Sequence, residues 1–257
     1  MNHPRRFDAA EAMKNRFNGK TCTYCAVPEC SEDGDHVVCR QFFLERHRGE
    51  LPKVPACKKC NNHKGALERY LTTVMLFGGR HAGATESLVS MGPKRLRGNL
   101  KLTREIAAGI EYAPPLDSSG HASMTAPFDS EQLRELYEMI ARGLAWHHWL
   151  LLLPPETVNV YGWFASPEGT AIFNPIFTHN ARRRVTSQLG RAFVYEGAQA
   201  KDVEQFTIWR MSLYGAVMAD EHNTTTQIGY VLTAPKTMAA ANEFIRLLER
   251  VREPKAA

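Results

Sequence analysis

A chain of 257 residues, 44% hydrophobic and 23% charged, is long enough to bury a substantial core and too apolar to remain disordered. Its formal net charge of +5 permits a nucleic-acid partner without demanding one. The longest apolar run, Leu144 to Leu153, is interrupted by His147 and His148 and falls short of the roughly 20 residues a membrane span needs. The opening MNHPRRFDAAEAMKNRF has no apolar segment of the secretory type, so the expectation is a soluble, cytoplasmic protein without a membrane partner.

Taken in chain order, the first predicted element is a helix from about Asp8 to Phe17, ended by Asn18-Gly19. A cysteine-bearing region follows, from Thr21 to about Tyr70. Within its SEDGDHVVCRQFF, Gly34 provides a turn and Asp35-His36-Val37-Val38 begins a strand. Asn61 to Phe77 reads as a helix with Leu67, Leu71, Val74 and Met75 on one face, ended by Gly78-Gly79. Residues 80–128, rich in Gly, Pro, Ser and basic residues, read as a connecting region with one or two short helices.

Asp129, with Gln132 three residues on, caps a long helix whose apolar stripe is Leu133, Leu136, Tyr137, Ile140 and Leu144, and which Pro154-Pro155 should stop. Beyond it TVNVYGWFA, TAIFNPIF, RAFVYEG, VEQFTIWRMSLYGAVMA and TQIGYVLT are β-branched and aromatic segments bounded by turn residues, the signature of a mainly antiparallel sheet. A last helix is expected from about Thr237 to Val251. The predicted fold class is α+β: an N-terminal module over residues 1–80, then an accessory α+β domain over 81–257 with the sheet and the long helix.

All six cysteines, Cys22, Cys25, Cys30, Cys39, Cys57 and Cys60, lie in the first quarter of the chain. In a reducing compartment close pairs read as metal ligands rather than disulfides. Cys22-Thr-Tyr-Cys25 and Cys57-Lys-Lys-Cys60 are two C-x2-C pairs, each able to present two thiolates to one ion. Four thiolates close a tetrahedral zinc site, which is structural because no coordination position stays open. Cys30 and Cys39 are left over; either could replace a ligand, and otherwise each is a small buried thiol. Closing the clip brings the Asp35-His36 pair towards Asn61, Asn62 and His63 at the helix start. In a strand the side chains of Asp35 and His36 point to opposite faces.

CTYC, DHVV and VPACKKCNNHKG, in that order, resemble the HNH endonuclease family in its zinc-knuckle form, with the ββα-metal fold, over about Thr21 to Tyr70. The resemblance implies an endonuclease that hydrolyses phosphodiester bonds in DNA. His36 takes the place of the general base that activates water. Asp35 takes the place of the first ligand of a catalytic magnesium or manganese ion, and Asn61 that of the second. By analogy with the family, such a nuclease would serve phage defence, restriction or a mobile element. Elementary chemistry agrees, since attack on a phosphodiester wants a base near neutrality and a hard cation at the developing charge. The chain departs from the family pattern in RGELPKVPAC, which has no Asn before the third cysteine, and in VVCRQFF, which has no Pro-containing turn.

Each candidate also has a plainer reading. His36 could be an ordinary core or surface histidine, Asp35 a turn residue after Gly34, and Asn61 the cap of its helix. His63, about 200° around the helix from Asn61, is a further catalytic candidate or a plain surface residue. Lys53, Lys58, Lys59 and Lys64 are phosphate contacts or solvated charges. The same choice holds for the basic clusters Lys94, Arg95, Arg97, Lys101, Arg104 and Arg182-Arg183-Arg184. His147-His148-Trp149 reads as packing, because adjacent helical positions do not face each other. The rival to the enzyme is a zinc-clipped nucleic-acid or protein binding module without catalysis.

Overall fold

The computed structural model describes residues 16–79, 81–113, 123–125, 128–165, 170, 173, 181–215 and 228–252. A short antiparallel hairpin, β1 (Asp33–His36) and β2 (Lys53–Ala56), pairs Asp35 with Val54 and His36 with Lys53. It leads directly into α1 (Lys58–Val74). Two helices follow, α2 (Ala84–Gly98) and α3 (Leu100–Ala108), then a small hairpin of β3 (Glu111–Ala113) and β4 (Ser123–Thr125). The long helix α4 (Ser130–Trp149) precedes the main sheet of β5 (Val158–Ala165), β6 (Ala181–Leu189), β7 (Phe193–Ala200), β8 (Thr207–Leu213) and β9 (Ile228–Pro235). Helix α5 (Ala239–Arg252) comes last.

The sheet order is β5-β9-β8-β7-β6, antiparallel at every pairing, so four consecutive strands meander and β5 closes the outer edge beside β9. Period-two alternation divides its side chains between two cores. Val158, Tyr195, Trp209, Met211, Leu213 and Val231 pack on the side of α4. Tyr161, Trp163, Ile208, Tyr230 and Leu232 face the other way, against Ala241 and Ile245 of α5. The edge strand β6 has an exposed face, and its Arg182 and Arg184 pair with Glu204 at 2.7 Å and Glu196 at 2.9 Å. Charge on an edge strand discourages pairing with a second sheet. The Arg182-Arg183-Arg184 cluster is therefore part of a strand that composition did not flag.

The α+β class, with an N-terminal hairpin beside clustered cysteines and an antiparallel sheet behind, is as expected. Asp129 caps α4 through its carboxylate, which accepts from the Glu131 and Gln132 N–H groups at 3.0 and 3.2 Å. That helix ends before the proline pair, because Leu150 adopts a left-handed conformation (φ 55°) and terminates it. The strand of Asp35 is also shorter than expected. It stops at His36, and after Cys39 the chain turns into a 3-10 segment, Arg40–Phe42. The connecting region holds two helices and, across it, the β3–β4 pairing. The expected first helix lies outside the described residues except for Arg16 and Phe17, and the expected strand Thr170 to Phe177 does so except for Thr170 and Phe173.

One buried cluster runs from Cys22, Val37, Phe42 and Leu71 through Leu136, Ile140 and Leu144 to Trp209 and Val231, so it spans the expected boundary near residue 80. Helix α4 is its spine. Gly143 lies so close to the residue after His36 that an added Cβ would meet Val37 Cγ1 at 2.8 Å. Tyr137 accepts from the Leu213 N–H at 3.1 Å, and Glu138 from the Gly162 N–H at 2.8 Å. Tyr214 reaches back to donate to the Phe42 carbonyl at 2.7 Å. At the end of α4, His148 lies 2.9 Å from the Tyr195 hydroxyl and Trp149 packs on Trp209, which bears out the packing reading for these two, whereas His147 is exposed. No helix among the described residues is long and apolar enough to cross a membrane.

Burial, with His147 alongside, lowers the pKa of His148 to about 4. An unfolded histidine titrates near 6.5, so between these values the unfolded chain binds a proton that the folded one refuses. Stability is thus full above pH 6.5 and falls as the pH drops towards 4. The slope from this residue is at most about 1.4 kcal/mol per pH unit, less where solvent reaches the ring. Urea denaturation at pH 7 and pH 5 should show this loss, and His148→Gln should make it shallower.

Candidate functional site

The turn that carries the first cysteines is built from two residues in the left-handed region, Ala26 (φ 57°) and Glu29 (φ 52°). Cys22 N–H donates to the Val27 carbonyl at 3.0 Å and Ala26 N–H to the Cys22 carbonyl at 2.9 Å, forming a knuckle. Thr23 N–H anchors it to the Pro55 carbonyl on β2 at 2.9 Å. Cys57 caps α1, its sulfur accepting from the Cys60 N–H at 3.5 Å, while Cys57 N–H points at the Cys22 sulfur at 3.4 Å.

The sulfurs of Cys22, Cys25, Cys30 and Cys57 all lie within 4.8 Å of one another, with Cys25 and Cys57 3.9 Å apart. Four sulfurs bound to one zinc at about 2.3 Å would be about 3.8 Å apart, so this donor set fits zinc with a small contraction. Burial raises the Cys57 thiol, but the Cys60 N–H and the neighbouring thiols overcome it and bring its pKa to about 7. Cys22, Cys25 and Cys57 are common to this cluster and to the paired-motif set. The fourth member here is Cys30, where the motif names Cys60. Cys60 sits at the first turn of α1, and burial followed by the other thiols pushes its pKa up. Cys30 has no C-x2-C partner, so no spacing rule selects it. The two left-handed residues that fold the chain back deliver it to the cluster.

Asp35 and His36 diverge across the strand, as a strand requires. The Asp35 side chain turns inward and is buried. Its Oδ2 accepts from the Tyr24 hydroxyl at 2.5 Å and lies 3.0 Å from Lys64 Nζ. Lys64 is fully buried, contrary to the reading of it as a phosphate contact or solvated charge. Its ammonium donates to the His36 carbonyl at 2.7 Å and also pairs with Glu68, one turn further along α1. A buried ammonium persists only when anions surround it. Burial tends to discharge Lys64, yet Asp35 and Glu68 hold its pKa above the ordinary value.

His36 is half-buried. Burial and nearby Lys53 lower its pKa to about 4 against the opposing pull of Asp35, so the imidazole is neutral at pH 7. Asn61 and Asn62 are exposed in the first turn of α1. Asn61 lies one turn before Lys64, on the side of the helix that meets Asp35. His63 is exposed, and its Nε2 lies 2.7 Å from Glu135 of α4, a tie between the two helices. A carboxylate and an amide oxygen are the donors a hard divalent cation prefers. At Asp35, however, such a cation meets a carboxylate that already faces an ammonium.

Cys39, the leftover thiol after the strand, is pushed up to about 11 by burial and by the Glu68 carboxylate. Its sulfur accepts from Gln41 N–H at 3.4 Å and caps the 3-10 segment. The network residues missed by sequence reasoning are Tyr24 and Glu68. Only Glu68 left a trace, four residues after Lys64, at the spacing of a helical ion pair.

Lys64→Met removes the cation and leaves two buried carboxylates facing each other. We expect a loss of about 3–5 kcal/mol, read by urea denaturation, because removing one partner of a buried pair is strongly destabilising. For the cysteines, Cys30→Ser is expected to lose zinc to a chelator faster than wild type, and Cys60→Ser to retain it. The reverse order by atomic absorption would return the fourth ligand to the paired motif. Comparison of the chain with protein-family models, with curated proteins and with solved structures gives no match.

Proposed function

We propose that the protein is a metal-dependent endonuclease that hydrolyses phosphodiester bonds in DNA, with His36 as general base. The observation that carries this reading is the order hairpin, then helix, with Asp35-His36 on the hairpin, Asn61 in the first turn of the helix, and a four-cysteine cluster at their junction. Zinc in the cluster would be structural, holding the knuckle, β2 and the start of α1 together. His36 is neutral at pH 7 and able to take a proton from water. Its strand is fixed from behind by the bond from Lys64 to its own carbonyl. Asp35 and Asn61 would hold magnesium or manganese, whose charge would neutralise the phosphate when bound. The closed cysteine cluster cannot serve that purpose.

A second reading is favoured by one observation. The Asp35 Oδ2 atom is already paired with Lys64 and Tyr24, as suits a carboxylate serving the fold of a nucleic-acid binding module. Nicking of supercoiled plasmid separates the two. The expected result is cutting with magnesium or manganese, none with EDTA, and a loss of about 100-fold or more in His36→Ala at unchanged zinc content, the lower end of what a general base contributes. A zinc-loaded wild type that cuts neither DNA nor RNA with either metal would leave the binding module.

A further inference from the structure

A groove of about 1060 Å³ opens between the segment that joins β1 to β2, α1 and α2. It is apart from the Asp35-His36 pair, but two of its walls continue from that site. One wall begins at Gln41, five residues after His36, and another is the second half of α1. Five cationic side chains line it against two carboxylates, Glu45 and Glu86. Most of these charges have duties within the fold. Arg46 makes a two-pronged pair with Glu86 across the groove. Arg95 donates to the carbonyls of Thr72 and Gln41 and so braces all three walls. Arg48 donates to the Phe43 carbonyl at 3.0 Å and approaches Glu45 at 3.8 Å.

Arg69 on α1 and Lys94 on α2 remain. Both are exposed, both line the groove, and neither has an acidic partner among the described residues. Two walls thus present unmatched cations to one open channel. Like charges gathered in this way repel each other, and an anion between them relieves the repulsion. The groove lies at the upper end of the volumes of small-molecule pockets, but its lining is charged where such pockets are mainly apolar. A charged strand fits that lining better than a compact apolar ligand.

We propose that this groove binds the phosphate backbone of a nucleic acid, with Arg69 and Lys94 as its contacts. The proposal rests on the nucleic-acid partner of the reading above, and it assigns that partner a surface outside the Asp35-His36 pair. Arg95 and the Arg46–Glu86 pair shape the channel. Lys94 and Arg95 belong to α2, in the basic run that continues into α3, where Lys101 pairs with Glu105 at 3.8 Å.

The test uses the full-length, zinc-loaded protein and fluorescein-labelled 20-mers of duplex DNA, single-stranded DNA and RNA. Anisotropy is measured across a salt series with no magnesium or manganese added, which prevents cutting without a chelator that would strip the zinc. Wild type should bind at least one of these with strong salt dependence. Arg69→Glu with Lys94→Glu should weaken binding about tenfold or more, and Arg69→Gln with Lys94→Gln should lower the salt slope by about 2, one per lost phosphate contact. An unchanged circular dichroism melt excludes misfolding, and Arg246→Glu on α5 should bind as wild type. Which probe binds best identifies the form of the nucleic acid. Unchanged affinity and slope in both double variants would overturn the groove, as would polyglutamate binding there as tightly as DNA. Plasmid nicking by the same variants keeps the two readings apart. A groove that fails while nicking persists leaves the nuclease standing, and a wild type that binds through the groove but never nicks leaves the groove standing alone.

Discussion

A single ammonium group with no access to water ties the N-terminal part of this protein together. Lys64 is fully buried, and its desolvation is tolerable only because Asp35, Glu68 and the His36 carbonyl converge on it. Those partners belong to two elements far apart in sequence. The contact therefore fixes how the β1–β2 hairpin lies on α1, and with it where His36 stands relative to Asn61. The cysteine cluster imposes the same relation from the other end, where Cys22, Cys25 and Cys30 of the knuckle meet Cys57 at the helix cap. One end is held by sulfur and the other by charge, and Asp35 and the His36 carbonyl belong to the charged end.

The larger part of the chain is fastened to this assembly through α4. Its buried stripe faces the β1–β2–α1 unit on one side and the sheet on the other, so a single apolar core serves both. Glycine at position 143 permits the contact with Val37, because any side chain there would press on the residue that follows His36. Apart from the edge strand β6, the sheet is in turn covered on both faces, with α5 and an aromatic cluster around Trp163 and Tyr230 on the far side. The surroundings of His36 are consequently coupled mechanically to residues more than a hundred positions away. The same core supports the wall of the basic groove at its start, where Tyr214 at the end of β8 holds the Phe42 carbonyl.

Much of the scaffold was legible in the residues. Asp129 with Gln132 marks the start of α4, and the apolar stripe from Leu133 to Leu144 gives its buried face. Aromatic and β-branched residues mark β5, β7, β8 and β9, because most of their positions are covered by one core or the other. β6 escaped because an exposed edge strand is polar, and Arg182 to Arg184 resemble a loop in composition. The proline pair was given the end of α4, but a left-handed Leu150 stops the helix first, and backbone conformation at such a residue leaves no clear mark in sequence.

The candidate site divides along the same physical line. Spacing alone brought Cys22, Cys25 and Cys57 together, since close pairs on tight turns have few places to go. The strand period alone separated Asp35 from His36. Those features are local, and local sterics determine them. The fourth sulfur of the cluster, the burial of Lys64, the parts of Tyr24 and Glu68, and the diversion of His63 to Glu135 depend on which elements pack together. Desolvation and Coulomb energy are set by the whole surroundings of a charge, so four lysines alike in sequence become one buried strut and three outer charges only in the folded chain.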